Sequence, residues 1–359
     1  MKVVFRVDAS QYIGSGHVMR CLVLAQALRH DGHNVVFASR EQISDLNAFI
    51  KSKGFDLINL VQPNLWQTPK NTADYAAWLQ ISEEHDYKDF LSKVISADLV
   101  VVDHYGINAN WHHQVKSYLG CRLMVIDDLA RAHNADIILD QTLNRRACEY
   151  TKLNKCLALT GTDYALLKPE FALKRGFLKN QQPQKHTILI SMGGVDQPNA
   201  SLKVLNTLLG EMQHLPITVL LSKRSPNYEQ VKAFALAHSS WVEHIEFVDN
   251  MPDLMIRHSI MIGAPGSTSW ERACLGIPSI IVPIADNQNT IARQLEQAKA
   301  VKVVELNNIT HELINALHEI MGDWESYSKH NYALCDGLGC KRTVQQLNKF
   351  ILMECNNND

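Results

Sequence analysis

The sequence predicts an α/β protein with two domains, each built on a parallel sheet, that face each other across a cleft. Two observations predict it: short unbroken apolar runs alternate with helical patterns, and this rhythm restarts after a polar segment near residue 180. The chain has 359 residues, enough for about two domains of roughly 150 residues each. Hydrophobic residues make up 46% and charged residues 20%, as in ordinary globular proteins rather than disordered or fibrous ones.

The first domain is predicted over residues 1–170. It opens as a βαβ unit, with a strand at 3–7, a glycine-containing loop at 8–16, a helix at 18–28 and a second strand at 34–38. Three further apolar runs each end at or just before an aspartate. Runs of this kind are typical of buried parallel strands with polar groups at their carboxyl ends. We therefore predict further strands at 99–102, 123–126 and 137–139.

A linker is predicted at 171–186, followed by a second domain at 187–307 and a helical C-terminal segment at 308–359. The second domain repeats the alternation of apolar runs and helical patterns. Its predicted strands are 187–191, 218–221, 245–248, 260–263 and 279–282.

Charge and composition exclude several classes of function. Lys and Arg number 35 against 37 Asp and Glu, so the chain lacks the basic excess of nucleic-acid-binding proteins. No apolar stretch approaches the roughly 18 residues that cross a bilayer, and the first residues do not resemble a signal peptide. Eight cysteines are scattered without a CxxC pair, which favours reduced thiols. We expect a cytoplasmic monomer without nucleic-acid or membrane partners.

A glycine-rich turn follows the first predicted strand. Gly14 and Gly16 allow close backbone approach to a ligand where the first helix begins. Met19 replaces the third glycine of a dinucleotide fingerprint, and no acidic residue closes the second strand, so a nicotinamide or flavin site is not expected. The positive end of a helix disfavours a protonated imidazole, which suits His17 to act as a general base. Alternatively, His17 only caps the helix or hydrogen-bonds within the loop.

Three loops of the second domain carry small or polar residues after predicted strands. One is the turn at Gly193 and Gly194. Another is the segment 263–271, in which the start of a helix is rich in hydroxyl groups and suits a diphosphate. In that segment Glu271 suits ribose hydroxyls, or is instead the reciprocal partner of a capping box. The third loop supplies Asp286, Asn287 and Gln288.

The sequence contains no metal signature. Asp-x-Asp is absent, and His311 and His318 are seven residues apart rather than the four of a zincin helix. Walker A and Gly-x-Ser-x-Gly sequences are also missing, which excludes P-loop and α/β-hydrolase sites. We expect neither a metal nor a cofactor.

These motifs, in this order, closely resemble the PseG family, the UDP-2,4-diacetamido-2,4,6-trideoxy-β-L-altropyranose hydrolases of bacterial pseudaminic acid synthesis. The similar segments are 6–10, 13–22, 191–199, 266–272, 286–288 and 335–339, which span nearly the whole chain. The resemblance implies two Rossmann-like domains of GT-B type with UDP mostly on the second. It also implies metal-independent hydrolysis to UDP and the free sugar, in which His17 deprotonates water for attack at the anomeric carbon.

The resemblance also implies substrate contacts in the second domain. These are Glu271 to ribose, the helix start Ser267, Thr268 and Ser269 with Gly266 to the diphosphate, Asn199 near the substrate, and the peptide at Val248 to uracil. Four further residues are candidates either for ligand contacts or for bracing loops: Arg6, Asp8, Tyr105 and Asn287. Two other functions stay open, a GT-B glycosyltransferase with a UDP-sugar donor and a non-catalytic UDP-sugar-binding protein.

Overall fold

The computed structural model describes residues 1–152, 155–176 and 183–355. The chain forms two compact units: unit 1 contains Met1–Leu167 and the segment from Leu338 onward, and unit 2 contains Lys168–Gly337. The chain thus passes from one unit to the other at two places. Part of the predicted linker 171–186 lies in a helix of unit 2, and its residues 177–182 lie outside the described residues.

Unit 1 is built on one seven-stranded sheet in which every strand pairing is parallel. The strand order is β3-β2-β1-β4-β5-β6-β7. The strands are β1 (Lys2–Val7), β2 (Asn34–Arg40), β3 (Asp56–Leu60), β4 (Leu99–Asp103), β5 (Arg122–Ile126), β6 (Ile137–Asp140) and β7 (Leu157–Thr160). The sequence predicted five of them. It missed β3 and β7 because both are edge strands with one half-exposed face, so their apolar runs are broken.

Unit 2 is built on a six-stranded parallel sheet of order β10-β9-β8-β11-β12-β13. Its strands are β8 (Ile188–Ser191), β9 (Ile217–Leu220), β10 (Val242–Ile245), β11 (Ile260–Gly263), β12 (Ser279–Ile281) and β13 (Val301–Val303). The predicted strand 245–248 was wrong, because β10 ends at Ile245 and Phe247 beyond it is 58% exposed. As an edge strand, β10 alternates buried Val242 with exposed Glu243 and does not form an apolar run.

Helices connect most of the parallel strands, as is usual for crossover connections, whereas residues 127–136 connect β5 to β6 without a helix. In chain order they are α1 (Gly16–His30), α2 (Asn47–Ser52), α3 (Tyr75–Trp78), α4 (Glu83–Lys93), α5 (Ala109–Leu119), α6 (Ala147–Thr151), α7 (Pro169–Lys174), α8 (Ala200–Leu209), α9 (Tyr228–Ala237), α10 (Met251–Met255), α11 (Ser267–Leu275), α12 (Asn289–Gln297), α13 (Ile309–Gly322), α14 (Trp324–Leu334) and α15 (Gly339–Cys355). Short 3₁₀ helices cover Thr162–Tyr164 and Asp286–Gln288.

The unit 1 sheet is buried on both faces. Alternate residues of β1 point to opposite sides: Val3, Phe5 and Val7 pack with α1, and Val4 packs with the core around α4 and α5. Because α1 lies between the sheet and α15, it is buried on more than one side. The buried residues of α1 are accordingly not confined to one face.

The predicted C-terminal segment 308–359 divides between the units. Helices α13 and α14 belong to unit 2, where Trp324 is buried in the core and its Nε1 donates to the Ser259 carbonyl at 2.7 Å. Helix α15 belongs to unit 1 and packs against α1. Between them, Gly337 has a φ of +80°, and a Cβ there would lie 2.7 Å from the Cys274 sulfur. A glycine is required at this position.

A buried carboxylate, Asp86 of α4, joins the helices α4 and α5 to the sheet of unit 1. It accepts hydrogen bonds from Arg6 Nε (3.1 Å) and Nη2 (2.6 Å), from Arg40 Nη2 (2.7 Å) and from Trp111 Nε1 (2.9 Å). The side chains of Asp86, Arg6 and Arg40 are fully buried. Buried charges of this kind are tolerated only when paired and hydrogen-bonded.

Arg6 and Asp8 therefore brace unit 1, and the alternative that they contact a ligand is not supported. Arg6 Nη1 donates to Asp8 Oδ1 at 2.6 Å, so each nitrogen of its guanidinium is engaged. Asp8 also accepts from the Arg40 backbone at 2.8 Å and from Ser39 Oγ at 3.2 Å, and its other oxygen lies 3.4 Å from His104 Nε2. Both side chains are completely buried, which leaves no surface for substrate.

No helix within the described part of the chain is long and apolar enough to cross a membrane.

Replacement of Asp86 by alanine should strongly destabilise unit 1. The change leaves two buried guanidinium groups without their shared carboxylate, which costs about 3–5 kcal/mol when one partner of a buried ion pair is removed. Urea unfolding followed by circular dichroism measures the loss. Glu84→Ala, on the same helix, removes an exposed partner of Lys88 and should leave the midpoint unchanged. Equal midpoints for the two variants would contradict this assignment.

Candidate functional site

The strand order of unit 1 reverses at β1, because β2 lies on one side of it and β4 on the other. At such a reversal the loops that follow the two strands diverge and leave a crevice at their carboxyl ends. Val7 of β1 pairs in register with Asp103, the last residue of β4. The loop after β1 turns through Gly14, with a φ of +78°, and enters α1, in which His17 is the second residue. The topology therefore brings His17 and Asp103 to the same crevice.

His17 is paired with a buried carboxylate. Its Nδ1 lies 2.5 Å from Asp103 Oδ1, and the His17 side chain is 11% exposed while that of Asp103 is fully buried. Because an ionised carboxylate only accepts hydrogen bonds, Nδ1 carries the proton and donates it to Asp103. Within the described residues His17 Nε2 has no hydrogen-bond partner. In the neutral form of the ring, Nε2 therefore presents a lone pair, which can accept a proton from a water or a hydroxyl group.

Arg20, one turn further along α1, keeps Asp103 ionised and in place. Its Nε donates to Asp103 Oδ2 at 2.6 Å and its Nη2 to Oδ1 at 2.8 Å, a bidentate pair. Burial raises the pKa of Asp103, but the charge of Arg20 and the hydrogen bonds from Arg20 and His17 outweigh it and hold the pKa well below its usual range. Arg20 Nη1 also donates to Asp128 Oδ2 at 2.6 Å, and so does Tyr105 Oη at 2.5 Å.

Aromatic rings surround the imidazole. The rings of Tyr105 and Trp78 meet His17 edge-on, with centroids 4.7 and 6.2 Å away. Tyr75 contacts both of them, at 4.8 Å from Trp78 and 5.2 Å from Tyr105. This wall restricts the ring to one orientation and limits the access of solvent. The predicted candidate Tyr105 thus lies beside His17.

The strand order of unit 2 reverses at β8, between β9 and β11. The Gly193–Gly194 turn follows β8, and α8 begins after it. The helix start is already occupied, because Asp196 accepts from the backbone nitrogens of Ala200 at 2.8 Å and Ser201 at 2.9 Å. Asp196 is thus a helix cap, and the N-terminus of α8 offers little to an anion.

The second helix at this reversal, α11, begins differently. Gly266, with a φ of +151°, precedes it, and no acidic side chain lies in its first turn. Ser269 closes the start, since its hydroxyl accepts from Gly266 N at 3.3 Å and from Arg272 Nη2 at 2.9 Å. Ser269 is thus buried and engaged, whereas Thr268 is only partly buried at the helix start and its hydroxyl makes a long hydrogen bond of 3.5 Å to the Ala264 carbonyl. An unneutralised N-terminus such as this one attracts an anionic group.

Glu271 is not a capping partner, because Ser269 takes that role. Glu271 is half-buried, and no hydrogen bond to its carboxylate is present within the described part of unit 2. Burial raises the pKa of Glu271 to about 7, against the lowering effects of the Arg272 and Lys168 charges. A half-buried, unengaged carboxylate one turn inside α11 can accept hydrogen bonds from ligand hydroxyls.

The other predicted residues of unit 2 follow parallel strands at the same sheet edge. Asn199 has a φ of +57° and donates to Gln230 at 2.9 Å, and its Oδ1 is buried without a partner among the described residues. Val248 is half-buried between β10 and α10. In the 3₁₀ helix after β12, Gln288 accepts from Ile284 N at 2.9 Å, while Asp286 and Asn287 are exposed.

Within the residues that the structure describes, no cluster of three or more His, Cys, Asp or Glu side chains is suited to a metal ion.

Sequence reasoning missed Asp103, Arg20 and Trp78 as parts of the His17 site. The sequence marks Asp103 as a polar residue at the end of a buried strand. Its pairing with His17 could not be predicted, because it depends on the order of the strands in the sheet. Arg20 is buried in a helix one turn after His17, a spacing that places both on one face. Trp78 lies in a short helix that no sequence pattern connected to His17.

Comparison with known proteins agrees with this architecture. Residues 188–334 match the model of the glycosyltransferase family 28 C-terminal domain. The crystal structure of MurG from Acinetobacter baumannii superposes with a TM-score of 0.64 at 16% identity, covering 97% of this chain and 99% of that one. The chain has the GT-B fold. This confirms the predicted fold class.

Several curated relatives extend over most of the chain. The UDP-2,4-diacetamido-2,4,6-trideoxy-β-L-altropyranose hydrolase of Campylobacter jejuni is 27% identical over 82% of this chain and 96% of its own length. The spore coat polysaccharide biosynthesis protein SpsG of Bacillus subtilis is 22% identical over 96% of this chain and 97% of its own. The chain is thus a homologue of the hydrolase toward which the sequence motifs pointed.

Replacement of Asp103 by asparagine should change the tautomer of His17. Without the carboxylate, Nδ1 no longer has an obligate acceptor, and the introduced side-chain amide can donate to it instead. In long-range ¹H–¹⁵N correlation spectra, the neutral imidazole of His17 should show an unprotonated Nε2 in the wild type and a protonated Nε2 in the variant. A His17→Gln sample assigns the signal. The same tautomer in both proteins would contradict the pairing.

Proposed function

We propose that this protein hydrolyses UDP-2,4-diacetamido-2,4,6-trideoxy-β-L-altropyranose to UDP and the free 2,4-diacetamido-2,4,6-trideoxy-L-altrose, with His17 as the general base. The observation that carries the proposal is the His17–Asp103 pair, 2.5 Å apart, with Nε2 unengaged at the sheet edge. An imidazole held by a buried carboxylate is an effective proton acceptor near neutral pH.

In the proposed reaction Nε2 takes a proton from a water molecule while its oxygen attacks the anomeric carbon. The bond between that carbon and the β-phosphate oxygen breaks, and UDP departs with the bonding electron pair. Asp103 stabilises the imidazolium that forms, and Arg20 keeps the carboxylate ionised. UDP is a good leaving group, so a second carboxylic acid, which ordinary glycosidases need, is not required.

Unit 2 is proposed to hold the nucleotide. The N-terminus of α11 offers backbone N–H groups and the Thr268 hydroxyl to the diphosphate, whereas Asp196 already occupies the N-terminus of α8. Glu271 is proposed to accept from ribose hydroxyls, and the peptide at Val248 to meet uracil. Asn199, Asn287 and Asp286 are further proposed contacts.

The transfer of a sugar to a hydroxyl acceptor is the alternative. The same Nε2 would then deprotonate that hydroxyl rather than water. The match of residues 188–334 to a glycosyltransferase family keeps this alternative in view. The relative that covers 82% of the chain and carries the name of a hydrolase favours water as the acceptor.

Incubation of the purified protein with the UDP-sugar in ¹⁸O-water and EDTA tests the proposal. Mass spectrometry should find one ¹⁸O in the free sugar and none in UDP, because water attacks carbon and no metal takes part. Label in UDP would mean attack at phosphorus. Turnover that appears only with an added hydroxyl acceptor would establish transfer.

The same assay with His17→Ala should show kcat reduced by about 10²–10⁴-fold, the usual contribution of a general base. The affinity for UDP should not change, since His17 is not among its proposed contacts. His33→Ala, a half-buried histidine beyond the other end of α1, is the matched control and should retain turnover.

The affinity for UDP should depend on pH through Glu271. Ribose hydroxyls bind the ionised carboxylate, and with a pKa of about 7 an increasing fraction of the side chain is protonated as the pH falls. The ratio of wild-type to Glu271→Gln affinity should therefore approach a constant value well above pH 7 and fall as the pH is lowered through 7, by up to about tenfold per pH unit. Calorimetric titration measures both, and the ratio cancels the titration of UDP itself.

Glu325→Gln, on the exposed surface of α14, is the control and should show the wild-type pH profile. A pH-independent ratio for Glu271→Gln would remove Glu271 from the nucleotide site.

A further inference from the structure

A pocket of about 160 Å³ lies in unit 1 beside the turn that leads to His17. Its walls come from the turn after β1, the residues after β2, the loop at 66–68 and Gln80. Every side chain that lines it is neutral, and four of them are glutamines. The absence of cationic side chains makes it unsuited to phosphate, and its size is below that of sites for drug-sized ligands.

The loops around the pocket are held in place by amide groups. Gln80 Oε1 accepts from Gln67 N at 2.6 Å, and Gln80 Nε2 donates to the carbonyls of Gln67 at 2.9 Å and Ala77 at 2.8 Å. Gln42 Nε2 donates to the Trp78 carbonyl at 3.1 Å. These bonds preform the pocket, so little ordering is needed when a ligand enters.

Other polar groups at the pocket are unused. The side-chain amide of Gln11 and the hydroxyl of Thr68 have no hydrogen-bond partner among the described residues. The same holds for Gln42 Oε1, whereas Gln42 Nε2 donates to the Trp78 carbonyl. Together they offer donors and acceptors without net charge. Such a set matches the hydroxyl and acetamido groups of a sugar.

Apolar surface completes the recognition chemistry. Trp66 is 48% exposed and Tyr12 is 41% exposed, although both are large aromatic side chains that line the pocket. Exposed aromatic surface beside polar groups is typical of a binding site. An aromatic ring can pack against the apolar C–H face of a sugar ring while the neighbouring amides bind its polar substituents.

The pocket shares two elements with the His17 site. The turn from Ser10 to Gly14 forms one wall and continues into α1. The segment from Trp78 to Gln80 carries Trp78 against the His17 ring and Gln80 into the pocket lining. A group bound in the pocket therefore contacts the same turn, Ser10 to Gly14, that leads into α1 and positions His17.

We propose that this pocket binds the neutral, acetamido-substituted sugar ring of the substrate and is the specificity site of unit 1. The inference rests on the proposed function in that it identifies the ligand as the sugar of the nucleotide sugar. The binding itself is tested with the free sugar, independently of turnover.

Trp66→Ala should weaken binding of free 2,4-diacetamido-2,4,6-trideoxy-L-altrose by about tenfold, the scale of one lost aromatic contact. Titration followed by saturation-transfer NMR measures it on the full chain, with UDP affinity measured in parallel and expected to be unchanged. The matched control is Leu65→Ala, because Leu65 is 84% exposed next to Trp66 but does not line the pocket. It should bind the sugar like the wild type.

Where the UDP-sugar is turned over, Trp66→Ala should raise KM by a similar factor and leave kcat within about twofold. Equal sugar affinity in Trp66→Ala and the wild type, a parallel loss in Leu65→Ala, or no binding of the sugar by the wild type at millimolar concentration would each overturn the proposal. If the wild-type protein binds the sugar through Trp66 but does not hydrolyse the UDP-sugar, the sugar-binding pocket is supported and the proposed function is contradicted.

Discussion

The Asp103 carboxylate is fully buried between β4 and α1 and is charged, so the surrounding chain must supply donors for both of its oxygens. Arg20 and His17 supply them. This requirement determines where α1 begins relative to β4, how the imidazole is rotated and which of its nitrogens is unengaged. The site of unit 1 is thus a consequence of satisfying one buried charge.

The same constraint operates a second time in unit 1. Asp86 joins α4 and α5 to the sheet through Arg6, Arg40 and Trp111, again because a buried carboxylate needs several donors. The two clusters lie in one sheet but differ in exposure. The Arg6 side chain is completely buried, whereas the His17 side chain is 11% exposed. Of these two clusters, the one that contains His17 has surface that a ligand can reach, so burial rather than residue type distinguishes the two buried ion pairs.

Both units place their ligand-accessible groups where the strand order reverses. In unit 1 this position holds the imidazole, and in unit 2 it holds two helix starts that differ in one respect. Asp196 neutralises the start of α8, whereas the first turn of α11 has no acidic side chain. An anionic ligand therefore has one favourable helix terminus at this reversal, and Glu271 lies one turn beyond it.

The sequence by itself determined the α/β class, most central strands and the loops that carry polar groups. It did so because parallel strands that are buried on both faces consist of unbroken runs of apolar residues. Edge strands such as β3 and β10 were missed or misplaced, since exposure of one face breaks the run. His17 was recognisable from its position at a helix start. Its partner Asp103 was not, because 86 residues separate them and only the strand order brings them together.

Tertiary structure alone decided which partners Arg6, Asp8 and Glu271 have. Arg6 and Asp8 stand next to a glycine-rich turn, as ligand-binding residues do, yet α4 covers them and supplies Asp86. Glu271 has the spacing of a capping partner, yet Ser269 takes that position and leaves the carboxylate unengaged. In each case the side chain has several local options, and the free energy of burying or pairing a charge against a distant element selects among them.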